Sequence, residues 1–172
     1  MKKEFDTVVL DVDGTLTDGR IIYSSSGEEL KAFDVKDGLI IRVLVELGYR
    51  VVVITGRKSD IVQRRMNEIG VSEVIQGVGM DKVTAYEALV RNKRLDEAKI
   101  CFIGDDLNDL SIIKRVGISA CPADACLDIR ENVQYISSKK GGEGAVRDIL
   151  EYYLRLNSKW KAVIEYVNQQ SQ

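Results

Sequence analysis

The chain has 172 residues, with 25 Lys and Arg against 27 Asp and Glu, a formal net charge of −2. Hydrophobic residues make up 45% and charged ones 30%, which suits one folded domain with a sizeable core and offers no basic footprint for nucleic acid. Histidine is absent, so Ser-His-Asp and Cys-His catalysis and His-liganded zinc are excluded.

No apolar run approaches membrane-spanning length, and the opening MKKEFDTVVLDVDG meets acidic residues too early for a signal peptide. A cytoplasmic protein without a membrane partner is expected. Cys101, Cys121 and Cys126 form no CxxC pair and are odd in number, which argues against a disulfide framework.

The first element is VVLDVDGT, residues 8–15, a buried strand that runs into Asp11 and is broken at Gly14. Alternate strand residues share a face, so Asp11 and Asp13 can point into one crevice. Carboxylates that close repel unless a proton or cation lies between them, and a hard ion such as Mg²⁺ suits oxygen ligands. An Asx-rich turn is the plain alternative.

Next, Arg20–Tyr23 and Leu30–Val35 flank the turn-forming SSSG and read as a hairpin. Asp37 is expected to cap a helix over GLIIRVLVEL that stops at Gly48. RVVVIT, residues 50–55, is continuous and β-branched, as in a strand covered on both faces. A helix starts at Ser59 or Asp60 and ends at Gly70, with Ile61, Val62, Met66 and Ile69 at helical spacing.

VSEVIQG reads as a short strand, Asp81–Val90 as a helix and KICFIG as another buried strand. DDLNDLSIIKRVG is a turn and helix, GISAC a strand and ADACLDIREN a short helix. YISSKKGGEGA is expected to be a loop and AVRDILEYYLRL a helix. The tail, residues 158–172, carries Trp160, Ile164 and Val167 and is helix-capable; packing on a partner and fraying both stay open. The alternation predicts an α/β fold: a doubly wound, mostly parallel sheet with a β-hairpin flap, its main domain spanning residues 1–157.

Ligands of open α/β sheets bind beyond the carboxyl ends of the strands. Asp11 and Asp13 stand there, as do Thr55, Gly56 and Arg57. So do Lys82 and the cluster Asp105, Asp106 and Asp109. Singly, each has a bland reading as a cap, a solvated lysine or a turn. Together they fit phosphoryl transfer. A carboxylate can attack phosphorus, and cationic groups and hydrogen-bond donors must surround the equatorial oxygens. Mg²⁺ among Asp11, Asp13 and Asp105 would supply charge, Lys82 more, and Thr55 a donor, with Asp13 moving protons.

A calcium loop is disfavoured, because Ile22 occupies the twelfth position where glutamate belongs. A phospho-accepting receiver module shares the residue types, but there the lysine comes last. Here an acid cluster follows it.

That order resembles the haloacid dehalogenase superfamily of aspartate-dependent phosphatases: DVDGT, ITGR, Lys82 and GDDLND are similar to its four motifs. The resemblance implies Asp11 as nucleophile, Asp13 as general acid/base, and Thr55 and Lys82 as phosphate ligands. It also implies Mg²⁺ held by Asp11, Asp105 and the backbone carbonyl of Asp13, with Asp106 and Asp109 as supports.

The intervals around the threonine motif leave no room for a cap domain, and an open site excludes water poorly. The chain is similar almost throughout to a capless branch, the 3-deoxy-D-manno-octulosonate 8-phosphate phosphatases. The stretches are DVDGTLTDG, GEELKAFDVKDG, ITGRKSDIVQRR, QG followed by DK, GDDLNDL, PADA and KGGEGAVRD. The branch implies a role in lipopolysaccharide precursor synthesis and homotetramers whose sites neighbouring subunits close. It implies a sugar-acid phosphate contacted by Asp13, Asp34, Val35, Lys36, Asp37, Gly38, Arg42, Arg57, Arg65, Lys82 and Asn108, and places KGGEGAVRD near a neighbour's site.

Arginine suits a substrate that also carries a carboxylate, although Arg65 could instead lay its stem along the core. A sister activity on 2-keto-3-deoxy-nononic acid 9-phosphate (or the related acylneuraminate 9-phosphate) is the alternative; Arg57 after TG favours the eight-carbon acid. Departures from the branch are Thr15, where valine is common, a longer GVGM and an extended tail.

Overall fold

The computed structural model describes residues 4–170. The first three residues of the expected domain and the last two of the expected tail lie outside the described residues. Six parallel strands form one sheet in the order β5-β4-β1-β6-β7-β8. They are β1 (Thr7–Leu10), β4 (Arg50–Thr55), β5 (Glu73–Gln76), β6 (Ile100–Ile103), β7 (Ile118–Cys121) and β8 (Tyr135–Ile136). A separate antiparallel pair, β2 (Ile22–Tyr23) and β3 (Glu29–Leu30), makes the hairpin.

The central strands are apolar on both faces because helices cover both. On one side Val8, Leu10, Val51, Val53 and Ile103 meet α1 (Val35–Glu46), α2 (Asp60–Glu68), α6 (Ala145–Leu156) and α7 (Trp160–Gln169). On the other, Val9, Val52, Ile54 and Phe102 meet α3 (Lys82–Lys93), α4 (Leu110–Ile113) and α5 (Leu127–Arg130). Hydrophobic burial of this two-sided kind is the main stabilising contribution. In register, Val9 lies opposite Val52 on β4 and Phe102 on β6, which brings the ends of three central strands side by side. Among the described residues no cap domain interrupts the chain: only the hairpin and α1 separate β1 from β4.

Three local expectations are corrected. Asp34, not Asp37, caps α1, accepting from the backbone N–H of Lys36 at 2.6 Å and of Asp37 at 3.3 Å. Asp37 falls in the first turn and faces α6 instead. The hairpin strands are two residues each, shorter than their β-prone runs, because the chain must turn into α1. Tyr135–Ile136, expected to be loop, adds an edge strand parallel to β7.

The segment after Asn157 is helical as α7, and Trp160 and Val163 are buried in the same core as α1 and α6. The Arg147 and Arg155 guanidinium groups lie 4.9 and 4.8 Å from the Trp160 ring centroid, a cation–π arrangement that fastens α7 to α6. Among the described residues, no helix is long and apolar enough to cross a membrane.

Candidate active site

Asp11 directly follows β1, and its backbone N–H donates to Ile103 O at 3.0 Å, extending the ladder to the site's edge. Gly14 has φ +94°, and a Cβ there would overlap the Asp105 carboxylate. Glycine is therefore required for the turn to approach the second acid strand. The Thr15 hydroxyl donates to Asp105 Oδ1 at 3.1 Å, and Thr15 is fully buried. At the position where valine is common in the branch, the hydroxyl thus orients an acid.

Lys82 opens α3 and is also buried. Its Nζ lies 2.7 Å from Asp11 Oδ1 and 2.9 Å from Asp109 Oδ1. Asp109 Oδ2 accepts from the backbone N–H of Asp105 at 3.1 Å and of Asp106 at 3.5 Å. Asp109 is thereby committed to holding the loop and the lysine.

Carboxylate oxygens of Asp11, Asp105 and Asp109 come within 4.8 Å of one another. Burial, opposed by Lys82, leaves Asp11 above its ordinary range. Burial and then Asp11 and Asp109 push Asp105 up to about 8, and burial and Asp11 push Asp109 up to about 6. For Lys82 burial pulls downward, but the two aspartates outweigh it and the ammonium is held more firmly than usual. Acid crowding that one lysine does not relieve is what a hard divalent cation would relieve. With Asp109 engaged, Asp11 and Asp105 are the carboxylates left to ligate.

The Asp13 side chain is not in that cluster. It forms an ion pair with Lys31, just past β3. Asp11, Asp13, Thr55, Arg57, Lys82 and Asn108 together line one cavity of ≈330 Å³, with Met80, 81% exposed, at its lip. The Asn108 Oδ1 atom is buried there without a hydrogen-bond partner, a polar group suited to a bound ligand. A second cavity of ≈270 Å³ opens at the amino ends of the strands among Phe5, Tyr49 and Lys159, away from these acids.

The family profile described as haloacid dehalogenase-like hydrolase matches residues 73–150. The 3-deoxy-D-manno-octulosonate 8-phosphate phosphatase KdsC of Yersinia pestis is 38% identical over 152 residues, 88% of this chain and 81% of that protein. The KdsC protein of Escherichia coli K12 is 36% identical, over 88% of this chain and 80% of its own. The chain belongs to this phosphatase family of the haloacid dehalogenase-like hydrolases.

A crystal structure of the family's Moraxella catarrhalis member, in complex with magnesium ion, phosphate ion and KDO, superposes with a TM-score of 0.91. It has 39% identity and covers 96% of this chain and 95% of that one. The cobalt-bound Haemophilus influenzae member gives a TM-score of 0.85 at 34% identity, with 91% of each chain covered. Members are phosphoric monoester hydrolases.

Of the residues the family resemblance nominated for substrate, Asp13, Arg57, Lys82 and Asn108 line the acid cavity. Asp34, Val35, Lys36, Asp37, Gly38, Arg42 and Arg65 do not. Asp34, Asp37, Gly38 and Arg65 instead surround a small crevice under α1, and a Cβ on Gly38 would strike the Arg65 guanidinium. Arg42 is exposed on α1.

The glycine-rich stretch folds onto the turn that follows Asp11 in the same chain. Gly142 N–H donates to Thr15 O at 3.2 Å, and a Cβ on Gly141 would overlap Gly14 O. Sequence reasoning missed Lys31, Glu29 and Ser59 as neighbours of the site. Period-two alternation in the hairpin was the available signal: Tyr23 and Glu29 pair on one face, Ile22 and Leu30 on the other.

Proposed function

We propose that the protein hydrolyses 3-deoxy-D-manno-octulosonate 8-phosphate to the free sugar acid and inorganic phosphate. The reading rests on one observation above others: Asp11 stands at the end of β1, beside Lys82 and opposite Asp105, in a chain of this family. In it, Asp11 attacks phosphorus as the bond to the sugar oxygen breaks, and Asp13 donates a proton to the departing alkoxide. Asp13 then takes a proton from water, which attacks the aspartyl-phosphate phosphorus. Phosphate leaves and the Asp11 carboxylate is restored.

Lys82 and the Thr55 hydroxyl bind the transferring group's oxygens, and Lys82 also holds Asp11 in line. Asp11, Asp105 and the Asp13 carbonyl would hold Mg²⁺, which supplies charge against the phosphoryl oxygens. Arg57 and Asn108, at the cavity wall, recognise the sugar acid. Residues 34–38, Arg42 and Arg65 lie outside the acid cavity of their own subunit, so their contact with substrate would be made across a subunit boundary. That agrees with a homotetramer, as do the exposed Ile21, Ile22, Tyr23 and Leu30 of the hairpin. The product would serve lipopolysaccharide precursor synthesis in the cytoplasm.

The test is Mg²⁺-dependent phosphate release from the eight- and nine-carbon acid phosphates, with Asp11→Asn beside wild type. Turnover of the eight-carbon ester, abolished in Asp11→Asn, is expected. Preference for the nine-carbon ester would overturn the substrate, and an active Asp11→Asn the mechanism. Mg²⁺ binding with a stable acyl phosphate and no turnover would favour a phospho-accepting module. Solution mass tests the assembly: a fully active monomer removes it.

A further inference from the structure

The hairpin turns one face to the site. Its strand pairing sets Tyr23 opposite Glu29 and Ile22 opposite Leu30, so the polar pair and the apolar pair face opposite ways. On the polar face, Glu29 Oε1 accepts from Arg57 Nη2 at 3.1 Å, and the Ser59 hydroxyl donates to Glu29 Oε2 at 2.7 Å. Arg57 Nη2 also donates to the Tyr23 hydroxyl at 3.3 Å. Lys31 continues this face. Its side chain is 1% exposed, and its Nζ pairs with Asp13 Oδ1 and lies 3.7 Å from Glu29 Oε1. A buried ammonium is costly unless paired, and here two acids pair it, one from the hairpin and one from the nucleophile turn.

The consequence concerns Asp13. Four aspartates converge on this turn, and the carboxylate oxygens of Asp11, Asp105 and Asp109 come within 4.8 Å of one another, Asp11 and Asp105 being left to hold a cation. A fourth free carboxylate two residues from Asp11 would join them, and a carboxylate bound to a cation is a poor proton carrier. Asp13 does not join them; its carboxylate pairs with Lys31 on the hairpin side instead.

We propose that Lys31 is a positioning residue. Through its ion pair it keeps the Asp13 carboxylate out of the cation position and within reach of the leaving oxygen. Glu29, anchored by Arg57 and Ser59, holds Lys31 in turn. The inference rests on Asp13 being the general acid/base of the reaction proposed above.

The test separates proton transfer from folding. General acid catalysis matters for a sugar alkoxide, which needs a proton to leave, and little for p-nitrophenolate, which does not. In Lys31→Met, rapid-mixing measurements should show first-turnover cleavage of the eight-carbon ester slowed about 10- to 100-fold, less than the full worth of a positioned acid because Asp13 itself remains. KM should stay within about 2-fold, and the first-turnover release of p-nitrophenolate from p-nitrophenyl phosphate should be unchanged.

Lys31→Arg should recover most of the loss. Lys31→Gln, which keeps much of the stem and drops the charge, should show the same split as methionine and stands in if methionine does not fold. Calorimetry with Mg²⁺ alone should show tighter binding to Lys31→Met, as a released carboxylate joins the cation. Equal losses on both esters, a raised KM with kcat intact, or weaker Mg²⁺ binding would each overturn the proposal. An Asp11→Asn enzyme that still turns over would defeat the underlying mechanism instead.

Discussion

Lys82 Nζ lies 2.7 Å from Asp11 Oδ1 and 2.9 Å from Asp109 Oδ1, with all three side chains buried. One ammonium therefore fixes Asp11, the acid proposed to attack phosphorus, and the acid that braces the Asp105 loop. Lys82→Ala leaves both carboxylates without their cation. The expected loss is about 3–5 kcal/mol of stability, the usual cost of breaking a buried pair. Phosphatase turnover should fall at least about 100-fold, comparable to losing an electrostatic donor. Denaturant melts with and without Mg²⁺ check the first, and phosphate release the second. A mutant as stable as wild type in chelator would contradict it.

Cation removal should be visible without substrate. Asp11, Asp105 and Asp109 crowd one another, so the folded state is strained where a divalent ion would bind. At about 100 times its dissociation constant, Mg²⁺ should stabilise the fold by about 2.7 kcal/mol, and chelator should remove this. Asp105→Asn should lose most of the Mg²⁺-dependent rise in melting temperature. Thr15→Val, which deletes the hydroxyl held at 3.1 Å from Asp105, should weaken Mg²⁺ binding and cost about 1 kcal/mol. Titration calorimetry compares the three proteins.

Asp37 provides a pH signature remote from the acid cavity. Its Oδ1 accepts the backbone N–H of Arg147 at 2.6 Å, while Oδ2 is buried without a partner. Burial raises its carboxyl to about 6 from an ordinary 3.8. The folded state then binds the proton more tightly than the unfolded state between those values. Unfolding free energy from this group therefore falls as pH rises from about 4 to about 6, and levels off above. Asp37→Asn should lack that slope. The wild-type advantage over it should shrink by about 2–3 kcal/mol across the window. Equilibrium unfolding at pH 4.5, 5.5 and 7 measures the difference; parallel curves would exclude it.

Gly141 lies so near Gly14 O that any side chain displaces the turn after Asp11. Gly141→Ala should therefore lower kcat more than it raises KM, and lower the melting temperature. Thermal melts and steady-state kinetics in saturating Mg²⁺ distinguish this from an inert loop, in which neither would move.

Much of this site was legible because its chemistry sits on consecutive strand ends. VVLD, VVVIT and CFIGDD each show a buried strand stopping at a polar residue, and parallel pairing brings those stops together. What escaped were contacts set by docking rather than by periodicity. Lys31 pairs across 18 residues with Asp13 only once a two-residue hairpin folds over the turn. Asp37 reads as a cap for the helix it opens, yet serves the helix 110 residues later, because Asp34 had already supplied the first cap. Tyr135–Ile136 is too short for alternation to show, and its β7 neighbour makes it a strand.

Trp160, the chain's sole tryptophan, sits between the guanidinium groups of Arg147 and Arg155 at the joint of the last two helices. Its indole is thus a native optical reporter for that joint. Emission excited at the indole band should shift when α7 peels from α6, with no label added. The same protein preparation can then be followed through thermal and denaturant unfolding by light alone.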